Sequence, residues 1–107
     1  MKEIIQPTTL EISKVANLFK IIGDSTRLKL IYALQQSPMS VNDLAKATNS
    51  SQSLVSHQLK TLRENHIVGC KKQGNFVTYY LIDDHIDILL NVCRIHINEK
   101  EDSLYED

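Results

Sequence analysis

The sequence has few of the residues that crosslink, stiffen or anchor a chain. It contains no tryptophan, two prolines, three glycines and two cysteines, and these cysteines, Cys70 and Cys93, form no CxxC pair. A disulfide framework or a cysteine zinc knuckle is therefore unsupported. No apolar run approaches the roughly 20 residues that cross a bilayer, and the start, MKEIIQPTT, lacks the hydrophobic stretch of a secretory signal. We expect one small cytoplasmic domain without a membrane partner.

Positive charge is scarce at the end of the chain. Residues 1–82 carry ten Lys and Arg against five Asp and Glu, whereas residues 83–107 carry two against eight. A basic front suits contact with phosphates, and an acidic end attracts cations, although either imbalance is also common on solvated surfaces. We expect a folded domain over residues 1–99 and an acidic flexible tail over residues 100–107.

Two helices are predicted in the first third of the chain. The first covers about Leu10 to Ile22 and stops at Gly23, and Asp24 or Ser25 can cap the second, which Ser37-Pro38 ends. Apolar residues recur at helical spacing in both, and we expect both to be core scaffolding. The apolar residues are Leu10, Val15, Leu18, Phe19 and Ile22 in the first helix and Leu28, Ile31 and Leu34 in the second.

A pair of short helices follows. Ser40 can cap the first of them, with Asp43 placed as in a capping box, and a turn at residues 48–51 leads to the second, which begins at Gln52. Each helix has a narrow apolar face and a polar outer face, which is typical of a helix-turn-helix. The inward residues are Val41, Leu44 and Ala45, then Val55, Leu59 and Leu62.

A β-hairpin and a last helix complete the predicted fold. The hairpin pairs Ile67 to Lys72 with Phe76 to Leu81 around Gly74-Asn75, which places it as the wing of a winged helix. The final helix runs from about Asp84 to Asn98, with an apolar surface for a partner at Ile86, Leu89, Leu90, Cys93 and Ile97. The fold class is mainly α with a small β-hairpin, a winged helix-turn-helix.

The outer face of the fourth helix and the wing indicate contact with double-stranded DNA. Hydroxyl, amide and imidazole groups can hydrogen-bond base edges or phosphates in the major groove, while basic side chains neutralise phosphates. An ordinary amphipathic surface helix is the alternative, and His57 either touches DNA or stays solvated. The candidate residues are Gln52, Ser53, Ser56, His57, Lys60, Arg63, Lys71 and Lys72.

Four metal-ligand side chains occur in the final helix segment. Asp83-x-His85 is followed by ten residues and then by His96-x-x-Glu99. Eleven residues of helix separate the two histidines by roughly 16 Å, so one ion cannot reach both within one chain. Two antiparallel copies would bring His85 beside His96 of the second copy, forming two sites with two imidazoles and two carboxylates each, a set that suits zinc. The alternative is an amphipathic dimer helix with incidental histidines.

These motifs resemble the ArsR/SmtB family of metal-sensing winged-helix repressors over about residues 10 to 99. The resemblance rests on Gly23-Asp24-Ser25-Thr26-Arg27-Leu28, on Asp43-Leu44-Ala45 and on residues 51–62, and LVSHQLKTLRENHIV is close to the zinc- and cobalt-responsive members. It implies a homodimer formed through the N- and C-terminal helices, which binds operator DNA and has no small-molecule substrate.

The resemblance also implies how the metal site is used. Zinc, or cobalt, binds between the paired C-terminal helices at Asp83, His85, His96 and Glu99, where relatives often have histidine in place of the last residue. Zinc then lowers the operator affinity and derepresses metal efflux or detoxification genes. In similar proteins a C-terminal-helix histidine hydrogen-bonds the backbone at the end of the recognition helix, here near His66, which would be a supporting residue and not a ligand.

Other functions stay open on the sequence. A thiol-based redox or persulfide sensor would use Cys70 and Cys93, and a DNA-binding protein with a purely structural zinc would need the same ligands. A zinc hydrolase is not expected, because the chain has no HExxH and a catalytic zinc keeps a position open for water. A thiolate site before the recognition helix is not expected either, since that region reads Val41-Asn42-Asp43. The preferred metal stays open among zinc, cobalt and nickel.

Overall fold

The computed structural model describes residues 5–103, which form five helices and one antiparallel hairpin in the order α1-α2-α3-α4-β1-β2-α5. This is the predicted winged helix-turn-helix. Within these residues no helix is both long and apolar enough to span a membrane. The bounds are Thr9–Ile22 (α1), Ser25–Gln36 (α2), Val41–Thr48 (α3), Gln52–Glu64 (α4), Val68–Gln73 (β1), Phe76–Leu81 (β2) and His85–Ser103 (α5).

Four helices begin at side-chain caps. Thr8 and Glu11 form a reciprocal capping box at α1, with distances of 3.1 and 3.0 Å between the side-chain oxygens and the backbone nitrogens. Asp24, Ser40 and Ser51 each accept the backbone N–H three residues on, at 3.0 to 3.1 Å, and so start α2, α3 and α4. Because each cap satisfies a backbone donor that the helix leaves unpaired, the local sequence sets these starts.

The core lies where α2, α3, α4 and the base of the hairpin meet. The inward faces predicted for α3 and α4 are confirmed, since their apolar residues are buried or pack against the core. The largest fully buried side chains are Leu30, Ile31, Leu44, Leu59, Leu62, Val55 and Val68. Strand β2 is also joined to the start of the helix-turn-helix, because Met39 and Tyr79 exchange backbone hydrogen bonds of 3.0 and 2.8 Å. The wing is therefore held against the two helices that it follows.

The apolar stripe of α1 meets the protein's own core only at Leu18 and Ile22, which corrects the expectation that the whole stripe is core scaffolding. Only Ile22 at its end is buried, whereas Ile12, Val15 and Phe19 are 50 to 56% exposed. At 100° per residue these three side chains lie within about 60° of one another. Helical spacing identifies an apolar face but does not tell whether the same chain or a second molecule covers it.

Helix α5 also differs from its prediction. It continues to Ser103, past Asn98, so residues 100–103 are helical, and the rest of the predicted tail, residues 104–107, lies outside the described residues. Three of the five residues predicted to meet a partner, Ile86, Leu89 and Leu90, instead pack inward, whereas Ile97 is 54% exposed. The radius of gyration is 16.7 Å, against about 13 Å expected for a compact chain of this length. The terminal helices therefore extend from the core.

Candidate DNA-binding face and metal-ligand helix

The six candidate DNA-binding residues of α4 share one exposed surface. A rotation of 100° per residue places them on an arc of about 140°, apart from the buried Val55, Leu59 and Leu62. All six are exposed: Gln52, Ser53, Ser56, His57, Lys60 and Arg63. The surface combines neutral hydrogen-bonding groups at the start of the helix with cations further along it, an arrangement that can read base edges and neutralise phosphates.

The angle between α3 and α4 is fixed by backbone and side-chain contacts. Asn49 adopts a left-handed conformation with φ of 52° and ends α3. Three residues later Gln52 begins α4, and its Nε2 donates a hydrogen bond of 2.9 Å to Oδ1 of Asn42 in α3. This amide pair holds the first turn of α4 against α3, and the polar face of α4 is thereby presented at a set orientation.

The hairpin adds two cations and closes one side of a groove. Lys71 and Lys72 are exposed on β1, and Gly74 provides the positive φ, 60°, of the two-residue turn. An open groove of about 700 Å³ separates the tip of the hairpin from the starts of α3 and α4. It is lined by neutral polar groups, among them Asn42, Gln52 and Gln73, by a similar number of apolar side chains, and by the carboxylate of Asp43.

Two polar contacts that the sequence analysis missed connect α4 to the rest of the protein. Arg27 in α2 donates from Nε to the backbone oxygen of Ile21, at 2.6 Å, and from Nη1 to Oε1 of Gln58 in α4, at 2.8 Å. Nδ2 of Asn17 in α1 lies 3.3 Å from Oδ1 of Asn65, the residue that ends α4. These pairs are 31 and 48 residues apart, and periodicity carries no signal for a contact at such a separation.

Asp83 and His85 lie together at the start of α5. Oδ1 of Asp83 accepts the backbone N–H of His85 at 3.0 Å, and Oδ2 lies 3.2 Å from Nδ1 of its ring. The side chains are 44% and 80% exposed, so a ligand or a second protein molecule can reach them from solvent. One carboxylate thus accepts the first N–H of the helix and lies beside an imidazole.

His96 and Glu99 lie one turn apart on the exposed far part of α5, roughly 16 Å along the axis from His85. The structure therefore separates the four predicted ligands into two pairs. Among the described residues of one protomer, no three His, Cys, Asp or Glu side chains are grouped closely enough to hold a metal ion. A complete four-ligand set requires a second molecule.

The ligands on α5 share a face with an exposed apolar stripe. Ile88, Val92 and Ile95 are 50 to 57% exposed. His85, His96 and Glu99 fall on the same side, so that all six positions lie within roughly 100° of arc. The opposite side carries Leu90 and its neighbours into the core. Helix α5 thus packs one face on its own domain and exposes another, which carries one imidazole at its start and a second eleven residues further along.

The remaining candidates are one histidine and two cysteines. His66 is exposed in a left-handed conformation, φ 59°, between α4 and β1, and its N–H donates to the backbone oxygen of Arg63 at 3.1 Å. Cys70 lies in β1 and Cys93 in α5, both as half-buried free thiols. One cysteine is in the wing and the other in the terminal helix.

Comparisons with known proteins show which family this chain resembles. Residues 24–68 match the family described as bacterial regulatory protein, arsR family. The chain is 34% identical over 100 residues to a transcriptional repressor SmtB homolog from Synechocystis, which covers 91% of this chain and 76% of that protein. It is 31% identical over 99 residues to a cadmium resistance transcriptional regulatory protein, a CadC homolog, from Staphylococcus aureus, which covers 92% and 79%.

A solved structure shares the fold. The homodimeric winged helix-turn-helix DNA-binding domain of a possible ArsR-family regulator from Mycobacterium bovis has a TM-score of 0.82 and 19% identity, and the match covers 100% of this chain and 99% of that chain. The family consists of DNA-binding transcriptional regulators and not of enzymes. On the match to the family and the identity to the SmtB homolog, this chain belongs to the ArsR/SmtB family of transcriptional regulators.

Proposed function

We propose that this protein is a zinc-responsive transcriptional repressor. A metal-free homodimer binds a palindromic operator through α4 and the wing of each protomer. Two zinc sites form between the paired α5 helices, each with Asp83 and His85 of one protomer and His96 and Glu99 of the other. Occupation of these sites lowers the operator affinity, and metal efflux or detoxification genes are expressed.

The observation that carries the proposal is the spacing of Asp83 and His85. Two ligand atoms of a tetrahedral zinc ion, each about 2.0 to 2.1 Å from the metal, are separated by about 3.3 Å. Oδ2 of Asp83 and Nδ1 of His85 are 3.2 Å apart and exposed. The donor set of imidazoles and carboxylates also suits zinc or cobalt better than a thiophilic metal. The residues present therefore fit this group of ions.

The order of the ligands along α5 supports a site shared by two protomers. In antiparallel helices related by a twofold axis, residues at equal distances from the axis face one another. Asp83 and Glu99 are centred on Asn91, and His85 and His96 are centred within one residue of it. A single axis near Asn91 therefore brings both pairs of ligands together.

Exposed apolar surface supports the dimer. The stripes on α1 and α5 leave large aliphatic and aromatic side chains half exposed, at a loss of about 25 cal/mol for each Å² of apolar area left in water. Burial against a second copy recovers this free energy and places the α5 helices side by side. The related M. bovis domain is a homodimer.

The proposal that the protein represses transcription and that metal relieves repression is based on its relatives. The Synechocystis protein is a transcriptional repressor and the S. aureus protein is a cadmium resistance regulator. This chain has Val41-Asn42-Asp43 ahead of its recognition helix and only two cysteines, Cys70 and Cys93. Nitrogen and oxygen ligands on α5 therefore favour zinc or cobalt over cadmium as the signal.

Coupling between α5 and α4 would use the ring nitrogen of His96 that does not bind the metal. A metal-bound imidazole usually donates its other N–H to an oxygen, which fixes the ring. The backbone near His66, at the end of α4, is the proposed acceptor. Such a bond would hold α4 of the two protomers at a spacing unsuited to successive major grooves.

A subunit-complementation experiment tests the shared site. His85→Ala and His96→Ala homodimers each lose one imidazole from both sites. In the mixed heterodimer one site lacks both imidazoles, whereas the other keeps all four ligands. We expect each variant alone to lose the visible absorption of tetrahedral Co²⁺, and the heterodimer to recover it at one ion per dimer.

The control is His57→Ala, which removes an exposed imidazole from α4 and should leave two cobalt ions per dimer. Absence of recovery in the heterodimer would show that the ligands do not come from two protomers. Cobalt binding that survives in either single variant would move the metal site elsewhere on the protein.

A further inference from the structure

Phe76 at the tip of the hairpin is the most exposed aromatic side chain among the described residues. Its side chain is 76% exposed, and it directly follows the Gly74-Asn75 turn. A phenylalanine in water contributes little to folding, because the hydrophobic gain requires burial. The fold of one protomer therefore gives no reason for an aromatic ring at this position.

A second aromatic residue on the same hairpin shows how such a ring is normally covered. Tyr80 and Phe76 lie four residues apart on β2 and so point to the same face. Tyr80 is paired with Gly69, and its ring comes within 2.8 Å of the position that a Cβ atom at Gly69 would take, which leaves Tyr80 39% exposed against 76% for Phe76. Phe76 is paired with exposed Gln73 and has no such cover. The base of the wing is packed, and its tip is not.

The surroundings of Phe76 suit a nucleic acid. Phe76 lines the groove that runs between the wing and the starts of α3 and α4, together with Gln52, the first residue of the recognition helix. Lys71 lies on the same face of the hairpin, two pairs away, and Lys72 is exposed on the opposite face. An apolar ring flanked by cations and amides is complementary to a base step flanked by phosphates.

Duplex geometry places a minor groove at the tip. With α4 in a major groove, the next groove along the helix is a minor groove, and one sugar-phosphate strand separates the two. The open groove of the protein, about 700 Å³, lies between the tip and the starts of α3 and α4. Its lining combines amides and hydroxyls with apolar side chains and one carboxylate, that of Asp43. That strand can occupy it, and Phe76 then faces the minor groove.

We propose that Phe76 inserts its ring into the minor groove beside the half-site and opens a base step as an apolar wedge. Apolar side chains used in this way partly unstack a step and bend the duplex, which favours flexible pyrimidine-purine steps over stiff ones. Phe76 thus adds specificity at a position where it makes no hydrogen bond to a base. The proposal rests on the proposed operator binding and extends it.

The experiment uses the wild-type dimer and a duplex that it selects from a random-sequence pool, with 2-aminopurine placed at the step that flanks each half-site. Fluorescence anisotropy measures the affinity over a series of salt concentrations, and 2-aminopurine emission reports unstacking. Phe76→Ala is compared with Lys72→Ala, and Phe76→Trp restores an apolar ring. Thermal unfolding and dimer mass of each variant are measured in parallel.

Phe76→Ala should bind the duplex about tenfold more weakly, a loss in the range seen when aromatic-base contacts are removed. The loss should be equal at every salt concentration, because no counterion release is affected, and the 2-aminopurine signal should fall. Lys72→Ala should instead reduce the slope of log affinity against log salt by about 2 per dimer. Phe76→Trp should restore binding and emission, and thermal unfolding should be unchanged.

Three results would overturn the wedge. In the first, Phe76→Ala binds as tightly as the wild type and gives the same emission. In the second, it alters the dimer mass, which would assign the ring to a protein contact. In the third, it changes the salt slope as Lys72→Ala does. If the wild type selects no duplex, the proposed operator binding fails together with the wedge. Equal binding by wild type and Phe76→Ala overturns the wedge alone.

Discussion

At the scale of single residues, Asp83 connects backbone structure with metal chemistry. One carboxylate oxygen accepts the N–H of His85, and the other lies 3.2 Å from its ring. The backbone bond restricts the carboxylate, so the proposed ligand pair is oriented before a metal arrives. Such orientation reduces the entropy that binding must overcome. The second pair on α5, His96 and Glu99, lies on regular helix, and a spacing of three residues places both side chains on one face.

Glu99 is the position at which a single substitution should strengthen the proposed site. Glu99→His replaces a carboxylate with an imidazole, which borderline-soft zinc prefers. We expect the zinc affinity to rise by about tenfold, equivalent to about 1.4 kcal/mol. Competition with a chromogenic chelator at fixed pH measures it.

The matched control is Glu101→His. It adds an imidazole to the same exposed helix, but two residues further on and so about 200° around the axis. Its zinc affinity should equal that of the wild type. An equal gain in both variants would mean that any added histidine on α5 strengthens binding, and no gain in Glu99→His would remove Glu99 from the ligand set.

At the scale of secondary structure, Arg27 joins three helices. Its guanidinium donates hydrogen bonds to the backbone at the end of α1 and to Gln58 on α4. Its backbone N–H donates to the carboxylate of Asp24, which caps the start of α2. Because the planar guanidinium presents several donors in a fixed arrangement, it can serve both acceptors at once. The recognition helix is thereby tied to the helix that carries the exposed apolar stripe.

Arg27→Ala should lower the free energy of unfolding by roughly 1.5 to 3 kcal/mol, the range for hydrogen bonds made by a charged group that is partly buried. Arg27→Lys should lose nearly as much, since an ammonium group does not reproduce the forked geometry. Urea denaturation at one fixed protein concentration measures the loss, because dimerisation contributes to stability.

Lys29→Ala, an exposed substitution on the same helix, should stay within about 0.5 kcal/mol of the wild type. If Arg27→Ala is equally mild, the contacts with Ile21 and Gln58 do not stabilise the arrangement of the helices.

Much of the element structure could be predicted from the sequence, and the reasons are local. Ser40 and Ser51 cap α3 and α4 as expected, and Gly74-Asn75 turns the hairpin between the expected strands. The partners of the helical faces could not be predicted in this way. Of the residues of α5 assigned to a second molecule, Ile86, Leu89 and Leu90 pack on the domain itself, while the stripe through Val92 is exposed. Periodicity gives the direction of a face and not what covers it.

Some features of the candidate site could likewise be predicted from the sequence, and others could not. The positions of the DNA-facing residues on α4 could be predicted, because helical spacing places them opposite the buried stripe. Contacts such as Arg27 with Gln58 could not, because they depend on tertiary packing between distant segments. The exposure of Phe76 is a tertiary property too: pairing places it on a strand but does not show that nothing covers the ring.

At the scale of the whole molecule, charge and shape are arranged along one direction. The helix-turn-helix and wing belong to the basic part of the chain, and α5 belongs to the acidic part. Two extended terminal helices leave apolar stripes in solvent. In the proposed dimer through these stripes, two basic reading faces meet DNA and the proposed ligand pairs lie between the protomers. The DNA-binding and metal-binding sites would then be separate and able to influence each other.

Influence between the two sites must be reciprocal. If zinc weakens operator binding by a given factor, the operator weakens zinc binding by the same factor, and couplings of 1 to 3 kcal/mol are typical. The measurement that tests the central claim most directly is a zinc titration of the dimer bound to a fluorescent operator duplex at fixed salt. His96→Ala, titrated in the same way, is the matched variant.

We predict that zinc weakens wild-type binding by at least about fivefold and releases the duplex, whereas the His96→Ala dimer binds with the same affinity with and without zinc. An unchanged operator affinity of the wild type at saturating zinc, or equal release of both proteins, would contradict a zinc-controlled repressor that senses through α5.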